Sequence, residues 1–182
     1  MQHAGTKMIK TERLTLRRFE ITDADSMFHN WANDAEVTKY MRWHPHKDVD
    51  ETRGILQEWI NGYNDENSYH WGICFNDGEL IGSIGVIVTD IDHKAEIGYC
   101  IGRNWWGKGY VSEALRAVID YMFTNTDTER IEACHAVENI ASGKVMINAG
   151  MVYEGFARNK FKGINGFHDS NMYGIIREMW EG

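Results

Sequence analysis

Gly102-Arg103-Asn104-Trp105-Trp106-Gly107-Lys108-Gly109-Tyr110 is the stretch on which the reading of this sequence turns. Before it, residues 94–101 form an apolar-rich run that reads as a strand. After it, Val111, Ala114, Leu115, Val118, Ile119 and Met122 recur at helical spacing and describe one buried helix stripe. The first N–H groups of a helix have no intrahelical partner and face the positive end of its dipole, and glycine lets a phosphate approach them closely. The loop is expected to bind a phosphorylated ligand.

Two kinds of ligand compete for it. Residues 102–108 also spell G-x-x-x-x-G-K, the start of a nucleotide-binding P-loop. The match stops at Gly109, which stands where a Ser or Thr hydroxyl would hold magnesium, and no later strand ends in an obvious metal-binding Asp. Two adjacent tryptophans also sit awkwardly in a backbone that must wrap a triphosphate. A pyrophosphate, needing only N–H donors and no metal, is the better fit.

Outward from the loop, residues 14–19 alternate as a half-buried strand and Thr22-Asp23-Ala24-Asp25 looks like a capped helix entry. Helical spacing returns at 37–41 and 50–63. Strands are expected at 70–75, 80–88 and 94–101, the first two joined by a turn at Asn76-Asp77-Gly78. Residues 131–137 read as a strand, 141–149 as a helix, and 151–162 with 167–178 as a closing strand pair. This mixed order predicts an α+β domain with at least one crossover helix.

The 182 residues suffice for one domain with a real core, taken as 8–182, with residues 1–7 as a flexible leader. A net charge of −8 argues against the broad basic surface that nucleic acid requires, and mildly favours a cationic acceptor. The three cysteines, Cys74, Cys100 and Cys134, lie in apolar runs without CxxC spacing and read as buried free thiols. No signal-like or membrane-spanning run is present, so a cytoplasmic protein without membrane association is expected.

Gly98-Tyr99-Cys100-Ile101, Trp105-Trp106-Gly107-Lys108-Gly109-Tyr110 and Ser112-Glu113-Ala114 together resemble the acetyl-CoA motif of the GNAT acetyltransferase superfamily, with Asn104 at the place usually held by Gln or Arg. A second block, Asn139-Ile140-Ala141-Ser142 followed by Ala149-Gly150-Met151 and Glu154-Gly155, is similar to that of the branch containing the ribosomal-protein N-terminal acetyltransferases. Thr11-Glu12-Arg13-Leu14 and Asn33-Asp34 also fall where that branch has similar residues. The resemblance covers roughly residues 8–180.

It implies the acyl-CoA N-acyltransferase fold, a mixed, mostly antiparallel sheet flanked by helices and splayed between the strands at 94–101 and 131–137. Acetyl-CoA would lie in the V, the backbone of Tyr99, Cys100 and Ile101 pairing with pantetheine amides. The N–H groups across Asn104, Trp105, Trp106, Gly107, Lys108, Gly109 and Tyr110 would hold the pyrophosphate, and Asn139 would contact the pantetheine arm. The implied reaction is acetyl transfer to a primary amine, by direct attack in a ternary complex, with a peptide N-terminus or a small molecule as acceptor. Glu96 is the first candidate for general base. Ser142 would lie near the cofactor sulfur and replaces, as candidate acid, a Tyr that the stretch Val145-Met146-Ile147 does not supply.

On the acceptor side, Tyr40 and Trp43 are candidates to cup the substrate, and Asp169 to anchor its ammonium or to cap the last hairpin. His168 is a substitute base. His44-x-His46 lacks a third ligand, so no metal site is expected. An acyl-cysteine on Cys100 or Cys134 is disfavoured because neither has a His or Lys at an activating spacing. An acetyl-CoA sensor without turnover is the competing reading, and monomer or homodimer is left open.

Overall fold

A computed structural model of the chain describes residues 1–181. Gly182, the last residue of the expected domain, lies outside them. In chain order the elements are β1 (Ile9–Lys10), β2 (Leu14–Arg17), α1 (Ala24–Met27), α2 (Ala35–Thr38) and α3 (Val49–Gly62). There follow β3 (Tyr69–Phe75), β4 (Leu80–Thr89), β5 (Lys94–Ile101), α4 (Tyr110–Asn125), β6 (Arg130–Ala136) and α5 (Ile140–Asn148). The chain closes with β7 (Val152–Gly163), β8 (Gly166–Ile176) and the short α6 (Arg177–Glu181). None of the described helices is long and apolar enough to cross a membrane.

The strands form one sheet in the order β1-β2-β3-β4-β5-β6-β8-β7. All neighbours are antiparallel except β5 and β6, which α4 connects as a crossover. Period two divides β5 between the two faces of this sheet. Ala95, Ile97 and Ile101 join the main core with the stripe of α4, where Ala114, Leu115, Val118, Ile119 and Met122 are all fully buried. Cys100 instead packs toward a second core beneath α1 and α3, built on Phe19, Met27, Trp31 and Leu56. Leu115→Ala in such a core costs about 2–5 kcal/mol.

Three expectations need correction, all outside residues 1–7, where the Trp71 indole donates to the Lys7 carbonyl at 2.7 Å, the Tyr121 hydroxyl to the Gly5 carbonyl at 2.6 Å, and Thr6 is 1% exposed. Buried Trp and Tyr polar atoms need acceptors, and this extended segment supplies them. Residues 9–10 add an unforeseen edge strand. The first expected strand stops at Arg17, whose guanidinium makes a two-pronged bond to Asp23 at 2.8 Å, and Phe19 turns into the second core. The last strand ends at Ile176 because Arg177 turns its guanidinium to the carbonyls of Phe123, Thr126 and Thr128 near the C-terminal end of α4.

Candidate active site

The parallel pairing of β5 with β6 lasts for only three positions, Lys94↔Arg130, Ala95↔Ile131 and Glu96↔Glu132. Beyond Glu96 the strands part, while β5 stays paired with β4 as far as Gly82↔Ile101. Alternate backbone groups along 97–101 therefore turn toward a gap where no strand accepts them. That gap is the V implied by the resemblance. Part of its edge is already engaged, since the Ile101 carbonyl accepts the Trp106 indole N–H at 2.9 Å.

The glycine loop closes one end of the gap. Gly107 and Gly109 have φ of +73° and +81°, the left-handed conformation that side chains disfavour. With Gly109 as the residue before the helix and no side-chain cap on α4, the backbone N–H groups of residues 107–112 have no partner among the described residues. A row of unpaired donors on a helix start is a fit for a pyrophosphate. Trp105 is part-buried against the main core, and the Lys108 ammonium bonds the Asn104 carbonyl at 2.8 Å, so these side chains brace the loop. Tyr110 packs with Arg13, 4.6 Å over its ring, and edge-on with Phe75. Its side chain supports the loop.

The start of α4 is held from behind by contacts that sequence spacing could not reveal. Glu113 accepts from the Thr11 hydroxyl at 2.6 Å, the Arg13 backbone N–H at 2.9 Å and the Arg13 guanidinium at 2.6 Å. Burial would raise the Glu113 carboxyl, but these bonds outweigh it and hold it below the usual carboxylate range. The two motif fragments Thr11-Glu12-Arg13 and Ser112-Glu113 are thus one joint.

Glu96 is half-buried at the point where β5 and β6 separate. Its register partner Glu132 is committed, bridged by Lys94 at 3.0 Å and Arg130 at 3.3 Å, and Arg130 also clamps Glu154. Glu96 itself has no ion pair or side-chain hydrogen bond among the described residues. The sheet therefore sets two carboxylates side by side, one neutralised and one free.

Ser142 sits in the first turn of α5, across the gap. Asn139 is the N-cap, its side-chain oxygen accepting from the Ser142 N–H at 3.4 Å, so capping falls to Asn139 and leaves the Ser142 hydroxyl for another task. That hydroxyl lies 3.0 Å from the phenol oxygen of Tyr99, which also reaches the Ser142 carbonyl at 3.0 Å. Burial pushes the Tyr99 phenol above its ordinary pKa, so it remains a donor at neutral pH. The sequence assigned only the Tyr99 backbone a role. Alternation places its side chain on the α4 and α5 face but does not name the partner.

The cysteines are not thiolates. Burial pushes Cys100 up to about 11, and its sulfur lies 3.3 Å from the Ser83 hydroxyl. Cys134 is also raised, mainly by burial. Of the acceptor-side candidates, Tyr40 meets the His168 ring edge-on at 6.1 Å beside the β7–β8 hairpin. Trp43 packs on His46 and the second core. One oxygen of Asp169 accepts the N–H of Asn159 at 2.9 Å, which secures the left-handed Asn159 in the β7 bulge. His46 is buried against Thr52 at 2.8 Å, and His44 is exposed.

A family model described as an acetyltransferase (GNAT) domain matches residues 13–152. An uncharacterized N-acetyltransferase, p20 of Bacillus licheniformis, is 39% identical over 175 residues, covering 94% of this chain and 97% of that protein. The [ribosomal protein uS5]-alanine N-acetyltransferase of Escherichia coli K12 is 30% identical over 161 residues, covering 83% of this chain and 81% of that protein. A solved GNAT-family acetyltransferase from Bacillus anthracis superposes with a TM-score of 0.82 at 28% identity, covering 94% of this chain and 99% of that one. The family match runs from the lead-in to β2 as far as the first residue of β7 and so takes in the strand fork, its glycine loop and the start of α5. On that basis the chain belongs to the GNAT acetyltransferase family, acetyl-CoA-dependent N-acetyltransferases.

Proposed function

We propose that this enzyme acetylates a primary amine by direct attack with both substrates bound, Glu96 taking the proton from the amine and Ser142 giving one to the departing sulfur. The acceptor is the α-amine of a peptide or protein, the class named for the Escherichia coli relative, or a small-molecule amine of the same reactivity. The observation that carries the assignment is the free carboxylate of Glu96 at the fork, beside a Glu132 that two cations have already neutralised.

Acetyl-CoA supplies the activated thioester. The unpaired N–H groups of 107–112 would hold its pyrophosphate and the open edge of 97–101 its pantetheine amides. An α-amine has a pKa of roughly 7.7–8.0 and a lysine-like amine one of about 10.4, so either is largely protonated at neutral pH and a base must expose its lone pair. Glu96 is on the strand face shared with Gly98 and Cys100, opposite the face from which Tyr99 reaches Ser142. Base and acid thus approach the fork from different sides. Thiols raised by burial support direct attack over an acyl-cysteine route.

Mass spectrometry of peptide and small-amine acceptors incubated with enzyme and acetyl-CoA tests this reading. Acetyl is expected on the acceptor, and none on the enzyme when the acceptor is omitted. Acetyl retained on Cys100 or Cys134 would overturn direct attack, and cofactor binding without transfer to any amine would support a sensor.

A further inference from the structure

The chain carries a net charge of −8, yet two of its segments break that pattern. Residues 39–47 contain Lys39, Arg42 and Lys47, residues 157–168 contain Arg158, Lys160 and Lys162, and neither segment contains a carboxylate. The fold joins them. The Ile164 N–H donates to the Met41 carbonyl at 3.1 Å, the Asn165 side chain to the Lys39 carbonyl at 3.3 Å, and the Arg42 guanidinium lies 5.2 Å over the Phe161 ring. The result is a basic rim made by the loop after α2 and the β7–β8 hairpin. None of its six cations forms an ion pair among the described residues, whereas those of Arg13, Arg17, Lys94, Arg103 and Arg130 are all paired.

This rim borders the proposed acceptor side of the fork. Cys134 lies on β6 two residues beyond Glu132, and its thiol is raised first by burial and then by Glu96, while Lys160 and Arg42 oppose the rise. The proposed base and the unpaired cations therefore act on one small region. The Asp169 carboxylate, bonded to the Asn159 N–H, offsets these like charges only in part; gathered like charges cost stability, and a ligand of opposite charge relieves that cost.

We propose that the rim selects the acceptor: a peptide whose free α-amine is followed closely by acidic side chains, with Arg42 and Lys160 receiving carboxylates while the amine faces Glu96. This rests on the acetyl-transfer reading above for the location of the amine. A chain of carboxylates suits the rim better than one compact anion does. Its cations are spread along the hairpin, where Lys160 and Lys162 are both exposed on either side of the buried Phe161.

The test measures binding separately from turnover. Two C-terminally labelled peptides, identical except that Asp and Glu after the first residue become Asn and Gln, are titrated by fluorescence anisotropy with CoA present. The acidic peptide is expected to bind about tenfold more tightly at low salt, and the advantage to shrink as salt screens it. Arg42→Ala with Lys160→Ala should remove most of that advantage, Arg42→Glu with Lys160→Glu should invert it, and Lys10→Ala, an exposed cation on β1, should leave it intact. Melting curves of each variant establish that it folds. Equal binding of the two peptides, binding of neither, or an advantage untouched by the double substitutions would overturn the proposal. Acetylation of free aspartate as efficiently as of the acidic peptide would overturn its peptide part. An intact binding preference with no acetyl transfer would strike the catalytic reading and leave the rim's specificity standing.

Discussion

The phenol oxygen of Tyr99 on β5 lies 3.0 Å from the hydroxyl of Ser142 on α5 and 3.0 Å from its carbonyl, so a single side chain ties β5 to the first turn of α5. If Ser142 is to protonate the departing sulfur, its own O–H must point there rather than at Tyr99, whose phenol O–H donates to the Ser142 carbonyl. Tyr99→Phe should then lower kcat about tenfold with a smaller change in KM for acetyl-CoA, and Ser142→Ala should lower it about 100-fold. Steady-state CoA-thiol release measures both. The double variant should fall well short of the product of the single effects, because the pair acts as one unit. A change confined to KM would assign the pair to cofactor binding alone.

Glu113 fastens the turn between β1 and β2 to the start of α4 through three hydrogen bonds. Glu113→Ala leaves the Thr11 hydroxyl and two Arg13 N–H groups seeking other partners, a loss of about 2 kcal/mol. Thermal unfolding should show a fall of roughly 4–8 °C. Because the joint lies directly behind the unpaired amides of 107–112, acetyl-CoA affinity should weaken with it.

Gly143 and Gly54 should respond to alanine with opposite signs. A Cβ on Gly143 would stand 2.6 Å from Nε2 of His135, a residue 6% exposed whose Nδ1 is bonded to the Ala136 carbonyl, while a Cβ on Gly54 meets nothing within 4 Å. Helix propensity favours alanine by about 1 kcal/mol at both sites. At Gly143 an overpacking cost of about 1–3 kcal/mol opposes it. Melting temperature should rise in Gly54→Ala and fall in Gly143→Ala.

Stability should decline between neutral pH and pH 4, with His70 as one cause. Burial against Trp59, with ring centroids 3.8 Å apart, lowers the imidazole from 6.5 to about 4. Between those values the unfolded chain binds a proton that the folded chain refuses, so unfolding is favoured as pH falls through this window. Depressed Glu113, Glu132 and Asp34 act in the same direction at lower pH, each losing its contribution as it protonates. Urea midpoints measured from pH 7 to pH 4 should fall less steeply in His70→Phe.

What the sequence revealed was local. Strand 94–101 coincides with β5, and the stripe from Val111 to Met122 is the buried face of α4, because period and glycine punctuation are properties of neighbouring residues. The Tyr99–Ser142 contact, the joint of Thr11 and Arg13 with Glu113, and the basic rim join segments tens of residues or more apart, and no spacing rule connects them. The contacts of Gly5 and Lys7 with Tyr121 and Trp71, far along the chain, were hidden for the same reason. Asp169 was legible as either anchor or cap, and the bulge at Asn159, a backbone feature, uses one of its oxygens as a cap.

Glu96→Gln keeps the shape and removes the base, so comparing it with the parent enzyme tests the central claim most directly. Single-turnover acetylation of a peptide amine would be measured beside equilibrium binding of acetyl-CoA, both at neutral pH. The rate should fall by about 100-fold or more, with acetyl-CoA affinity unchanged and activity partly recovered at higher pH, where more of the amine is already neutral. An unchanged rate, or a loss of rate matched by an equal loss of acetyl-CoA binding, would contradict Glu96 as the base.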